Sequence, residues 1–167
     1  VSMTAPPLEL PPALERFSDE VSPRSVLLHP GTSPPTRYKR WDPERWSELA
    51  RGLAANLSRP CLVTWGPGER AVAQRIVDGS RGAARLAPET PSVAHLLALL
   101  RRSTLLIASD SGPLHLAALV ERPVVALFGP TDPVENAPFE GVPARLVRHD
   151  SGCNPCREGC PARACMA

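Results

Sequence analysis

Residues 104–128 read TLLIASDSGPLHLAALVERPVVALF, and this stretch decides the fold. Thr104–Ala108 is a short, continuously apolar run, the pattern of a strand buried on both faces. Ser109–Pro113 is polar and punctuated by glycine and proline, so it reads as a loop. Leu114–Val120 follows as a short helix, and Pro123–Phe128 as a second buried strand. Two apolar strands joined through a helix make a parallel βαβ unit.

The same alternation continues on either side. Ser25–Pro30 is an apolar strand ended by Pro-Gly. Asp42 reads as a helix cap with Pro43 at the first helical position. Trp46, Leu49, Ala50, Leu53 and Leu57 then recur at helical spacing and are expected to face a core. Cys61–Trp65 is a strand, Gly66–Gly68 a turn and Glu69–Asp78 a helix. Arg85–Ala87 reads as a short strand, Ser92–Arg101 as a helix capped by Ser92, and Ala144–Val147 as a last strand. The expected fold is α/β: a Rossmann-like open parallel sheet with helices on both faces. The expected organisation has three parts. Residues 1–24 are a Pro-rich lead-in with one helical patch at Ala13–Phe17, expected to be loosely held or to belong to something upstream. Residues 25–150 form the domain, and 151–167 a cysteine-rich tail.

Composition sets the outer limits. A chain of 167 residues with 43% hydrophobic content fits one domain with a true core. Net charge is only +2, carried by 18 Arg and one Lys, which gives no strong push toward nucleic acid. No apolar run approaches the ~18 residues of a membrane span, and no secretory leader is visible.

Three glycine-containing loops follow three of the strands: His29–Ser33 running on to Trp41, Trp65–Glu69, and Ser109–His115. In a parallel sheet these loops share the rim at the carboxyl ends of the strands, where ligands bind. Gly112 and Pro113 place Leu114 and His115 in a helix's first turn, whose outward N–H groups are a seat for phosphate. Ser111 offers a hydroxyl, Lys39 a cation, and Glu69 a carboxylate for a ribose hydroxyl pair. The sequence has no GxGxxG and no GxxxxGK[ST], which disfavours a standard dinucleotide or P-loop site. Asp, Ser and Gly are also ordinary turn residues. His29 and His115 suit structural as well as catalytic work, and Asp132 suits a turn cap. Cys61, at a strand start, reads as core.

The tail is dense in thiols: Cys153-x2-Cys156-x3-Cys160-x4-Cys165. Such spacing fits a tetrahedral zinc site, an iron–sulfur centre, disulfides or free thiols, and the sequence leaves these open.

The order of motifs resembles glycosyltransferase family 9, the ADP-heptose:lipopolysaccharide heptosyltransferases. The residues that carry it are His29-Pro30-Gly31, Lys39-Arg40-Trp41, Gly66–Glu69, Asp110–Ala118, Pro123–Pro133 and Cys153–Met166. It covers residues 25–166 and matches the C-terminal half of a GT-B enzyme. The resemblance implies a domain that binds a nucleotide sugar, with ADP-heptose as the expected donor. It implies transfer with inversion to a saccharide or lipid-linked acceptor, without a required cofactor. Acceptor binding and the acidic general base would belong to an N-terminal domain outside these residues, so none here is assigned as catalytic. By the resemblance, Thr32, Ser33 and Lys39 face the pyrophosphate. Glu69 holds the ribose and Asp110 lies near the sugar hydroxyls. Ser111, Gly112, Leu114 and His115 form the phosphate loop. The implied place of action is the cytoplasm, or the inner face of the membrane. Two rival readings stand beside it: a non-catalytic nucleotide-sugar or metal-tail module, and a GT-B epimerase acting on UDP-sugars, which gives no reason for the cysteine tail.

Overall fold

A computed structural model describes residues 9–138, 141–156, 159–160 and 162–166. Six parallel strands form one sheet: β1 (Val26–His29), β2 (Cys61–Val63), β3 (Ala84–Leu86), β4 (Leu105–Ser109), β5 (Val124–Phe128) and β6 (Ala144–Arg148). Their spatial order is β3-β2-β1-β4-β5-β6. The chain therefore starts in the middle, builds outward to β3, then crosses back to β4 and builds the other way. Registers are continuous through the centre, with Leu27 opposite both Leu62 and Leu106. The reversal between β1 and β4 leaves a crevice at their carboxyl ends, the place where open α/β sheets take ligands.

Side chains alternate across the sheet, and both faces are covered. On one face Leu27, Leu106, Ala108, Val124 and Ala126 pack against helix α4 (Val93–Arg102) and helix α5 (Gly112–Leu119). On the other, Val26, Leu28, Val63 and Ile107 meet Trp46 and Ala50 of α2 (Pro43–Leu57) and Ala73 and Ile76 of α3 (Arg70–Gly79). Double coverage is why the central strands are apolar at every position rather than at alternate ones. Cys61 is buried as expected, and burial pushes its thiol up to about 11.

Three expectations need correction. Helix α1 (Pro12–Ser18) and the chain after it are docked, not loose: Phe17 meets His95 of α4 edge-on at 4.9 Å, and Val21 is 1% exposed. Arg102 also donates to the Val21 carbonyl at 3.2 Å. The lead-in from Pro12 onward is thus part of the folded unit, because it covers apolar surface of α4. Leu57 is 55% exposed, since it is the last residue of α2, where the chain turns away through a left-handed Ser58 (φ 49°). Ser92 precedes α4 but does not cap it; its hydroxyl lies 2.9 Å from Nδ1 of His95.

Asp42 does cap α2: its Oδ1 accepts the Glu44 N–H at 3.0 Å, with Pro43 opening the helix. Hydrogen bonding to Glu44, through side chain and backbone, holds the Asp42 carboxyl below the usual carboxylate range. A depressed folded pKa means that this stabilisation is present above the unfolded pKa and is lost as pH falls through the folded one. Asp42→Ala should lower stability by about 1 kcal/mol at pH 7, the usual worth of an N-cap, in urea titrations. The difference from the parent chain should vanish in acid.

Candidate functional site

A cavity of about 720 Å³ opens at the crevice between β1 and β4. Its polar lining includes His29, Thr32, Ser33, Glu69, Ser111 and Gly112. Its apolar lining comes from Trp65 and Pro67 after β2, Pro91, Val93 and Leu96 at the start of α4, and Leu116 of α5. Polar and apolar groups facing one space are the usual make-up of a small-molecule site.

Glu69 is the best-fixed of these groups. It ends the loop after β2, and its side chain reaches across to the loop after β1. Oε1 accepts the Thr32 N–H at 3.1 Å, and Oε2 accepts the Gly66 N–H at 3.0 Å. Arg40 donates from Nη2 to Oε1 as well, and to the Thr32 carbonyl. The approach is close enough that only glycine fits beside it: a Cβ on Gly31 would lie 2.0 Å from Oε2. Glu69 thus joins two loops of the rim in one rigid piece.

A second ionic knot lies at the end of β4. Lys39 Nζ donates to Asp110 Oδ2 at 2.8 Å, and Thr131 Oγ1 donates to the same oxygen at 2.6 Å. Asp110 and Thr131 are buried, and these hydrogen bonds offset the loss of water around the carboxylate. The Lys39 loop and the loop after β5 are joined through this one oxygen.

His29 ends β1 with its ring buried and Nδ1 2.9 Å from the Thr64 hydroxyl. Thr64 Oγ1 in turn lies 3.3 Å from the Leu28 carbonyl, its natural acceptor. Burial lowers the His29 pKa to about 4; nearby Glu69 pulls it back up, and Arg40 pushes it further down. The ring is therefore neutral at pH 7.

The structure brings Thr32, Ser33, Glu69, Ser111 and Gly112 to one cavity, and Lys39 and Asp110 to each other. Leu114 and His115 stand apart. The Leu114 side chain is fully buried in the core, so only its backbone can face a ligand, and its N–H already donates to the Ser111 carbonyl at 3.1 Å. His115 is exposed on α5 and does not line the cavity. The Ser111 hydroxyl donates to the Ser109 carbonyl at 3.0 Å. Asp132 acts as a cap, accepting the Val134 N–H at 2.9 Å at the start of the short helix α6 (Pro133–Asn136).

Sequence reasoning gave no role to Arg40, Thr64 or Thr131. Arg40 stands next to Lys39, and Thr131 next to Asp132, but nothing local marks either as the partner of a distant carboxylate.

The cysteine tail folds back over the rim. The Cys156 N–H donates to the Pro130 carbonyl at 2.8 Å, and the Asn154 amide to the Gly129 carbonyl at 3.0 Å. Arg163 donates to the Arg40 carbonyl. Gly159 lies against Tyr38 so closely that a Cβ there would sit 2.6 Å from the ring's Cγ. Cys153 and Cys160 are exposed, Cys156 is half-buried and Cys165 is buried. Burial pushes the Cys165 thiol up, and the nearby thiols of Cys156, Cys153 and Cys160 push it the same way. Among the described residues, no three His, Cys, Asp or Glu side chains are gathered as ligands for a metal ion. Among them also, no helix is long and apolar enough to cross a membrane.

A family model described as glycosyltransferase family 9 (heptosyltransferase) matches residues 4–165. Lipopolysaccharide heptosyltransferase 1 of Pseudomonas aeruginosa is 36% identical over 143 residues, which is 83% of this chain and 38% of that protein. The structure of E. coli ADP-heptose lipopolysaccharide heptosyltransferase II superposes with a TM-score of 0.72 at 23% identity, over 94% of this chain and 48% of that one. E. coli heptosyltransferase WaaC with ADP gives a TM-score of 0.63 at 26% identity, over 83% of this chain and 40% of that one. The chain thus spans less than half the length of each.

The His29 ring carries a test of the site's electrostatics. Its folded pKa, about 4, lies below the ordinary 6.5. The unfolded chain therefore takes up a proton first, and stability is lost as pH falls from about 6.5 to about 4. The full effect is on the order of 3 kcal/mol. His29→Gln should flatten that part of the stability–pH profile, measured by urea unfolding.

Proposed function

The chain belongs to glycosyltransferase family 9, and we propose that it is the donor-binding half of a glycosyltransferase of lipopolysaccharide biosynthesis, with ADP-heptose as donor. The observation that carries this reading is the cavity at the β1/β4 crevice, where a fixed carboxylate, Glu69, stands opposite the first turn of α5. In this reading Glu69 accepts from the ribose, and the apolar lining around Trp65, Pro91 and Leu116 takes the base. The diphosphate lies against Thr32, Ser33, Ser111 and Gly112, within reach of Lys39. Asp110, held by Lys39 and Thr131, addresses hydroxyls of the sugar. An E. coli relative solved with ADP supports a nucleotide donor of this kind.

The proposed chemistry is a direct displacement. An acceptor hydroxyl attacks the anomeric carbon from the face opposite the diphosphate. The new C–O bond forms as the bond to the ADP oxygen breaks, so configuration inverts and ADP leaves with the electron pair. This domain's part is to meet the charge that grows on the leaving diphosphate. Donors fixed before the reaction do this best, because they need no reorganisation during it. The hydroxyl proton goes to a base on the acceptor-binding half, which also supplies the lipid-linked or saccharide acceptor. We place the reaction in the cytoplasm, at the inner face of the membrane, where a water-soluble donor meets a lipid-linked acceptor.

Calorimetric titration of the chain with ADP, UDP, GDP and AMP tests the donor. ADP should bind, and bind tighter than AMP by about tenfold, the scale of one or two charge-assisted contacts to the added phosphate. Preference for UDP or GDP would redirect the donor and leave the fold untouched. Lys39→Ala should weaken ADP more than adenosine; equal loss for both would remove Lys39 from the phosphate.

A further inference from the structure

The residue that the rim depends on most heavily after Glu69 is one that the donor reading does not use. Arg40 sits with its guanidinium inside a closed ring of polar contacts. Nη2 donates to the Thr32 carbonyl and to Glu69 Oε1, and Nε donates to Thr32 Oγ1 at 3.2 Å. Thr32 returns its own N–H to Glu69 Oε1 at 3.1 Å. Its hydroxyl donates onward to the Thr36 carbonyl at 2.9 Å. The backbone of Arg40 is pinned in turn, because its carbonyl accepts from Arg163 of the tail.

We propose that Arg40 is a positioning residue that holds the Glu69 carboxylate in the orientation needed to read ribose hydroxyls, so that Arg40 sets the preference for a ribonucleotide. The proposal rests on the reading of Glu69 as the ribose acid.

The acceptor inventory of the carboxylate gives the reason. Two oxygens offer about four lone-pair positions. Oε1 uses its positions on Thr32 and Arg40, and Oε2 uses one on Gly66. Acceptor capacity remains on Oε2, and Glu69 lines the cavity. Arg40 therefore fills Oε1 and leaves the free capacity on the other oxygen. Without Arg40 the carboxylate keeps two amide N–H donors and loses its adjacent cation, so it turns more freely and shares its accepting power with water. The neighbouring cation, Lys39, is committed to Asp110. A lysine at position 40 would supply charge but not the planar fork that serves Thr32 and Glu69 together.

A phosphate-neutralising role for Arg40 makes different predictions, and one set of titrations separates the two. Affinities of the parent chain, Arg40→Gln, Arg40→Lys and Glu69→Gln are measured for ADP, 2′,3′-dideoxy-ADP and AMP. The parent chain should prefer ADP over the dideoxy analogue by about tenfold or more, the scale for hydrogen bonds to a charged acceptor. In Arg40→Gln that preference should fall below about threefold, as in Glu69→Gln, while the ADP-to-AMP ratio stays as in the parent. Arg40→Lys should recover part of it. A general loss of structure would weaken all three ligands alike and leave the ratios unchanged; that outcome overturns the proposal. Collapse of the ADP-to-AMP ratio also overturns it, in favour of a phosphate contact. If the parent chain binds ADP without preferring it over the dideoxy analogue, the ribose reading of Glu69 fails and the proposal falls with it. Hydrogen exchange of the ligand-free chain gives a separate test. The Thr32 and Gly66 amides should be protected in the parent and exchange faster in Arg40→Gln. Unchanged exchange overturns the positioning role whatever the titrations give.

Discussion

The rim of this domain hangs on one carboxylate. Glu69 accepts from the backbone of the β1 loop at Thr32, from the backbone of the β2 loop at Gly66, and from the Arg40 guanidinium. Glu69 thereby adds a polar tie between two loops that are otherwise anchored by Trp41 and Trp65 packing on the core. A largely desolvated carboxylate is costly unless its lone pairs are filled, so the charge itself demands that both loops close on it. Gly31 belongs to the same constraint, because its missing side chain is what admits the carboxylate oxygen.

The sheet explains why such a knot is needed there. β1 and β4 are the most deeply buried strands, and their order reverses at the centre. The reversal sends the two loops to opposite sides and opens the crevice. Trp41 and Trp65 extend the apolar core past the strand ends, and polar contacts hold the rest of the loops. Glu69 does this on the β2 side. Asp110 does it on the β5 side, through Lys39 and Thr131. Lys39 and Arg40 are consecutive, so one short segment after β1 supplies the cation for both carboxylates.

Much of this architecture is legible in the sequence. Continuous apolarity marked the doubly covered strands, and Asp42-Pro43 marked the start of α2, because both signals are local. Glu69 and Asp110 were singled out on resemblance and on their place at strand ends. Lys39 and Thr32 stand among the residues the sequence marks, but Arg40 at Glu69, Thr131 at Asp110 and Thr64 at His29 do not, since these are fixed only by which loops meet across the rim. The same limit explains the other misses. Periodicity put Leu57 on the apolar stripe, but it could not tell that the stripe outruns the surface beneath it. Proline content made residues 12–21 look unattached, although Phe17 and Val21 cover α4. Leu114 and His115 send their side chains to the core and to solvent, which a motif read as a string of residues does not reveal.

The tail fits the same logic. It leaves β6, a strand exposed along its whole length, and returns to lie on the β5 loop at Gly129 and Pro130. It then reaches Tyr38 and the Arg40 carbonyl. These are the two segments that carry Thr131 on one side and Lys39 with Arg40 on the other. The tail therefore spans from outside the same gap that Asp110 spans from inside. A shift of the segment around residues 38–41 would strain both carboxylate knots and the tail contacts together. That shared dependence makes the rim one cooperative unit rather than a set of independent loops, and it gives the cysteine-rich segment a structural role whatever its thiols hold.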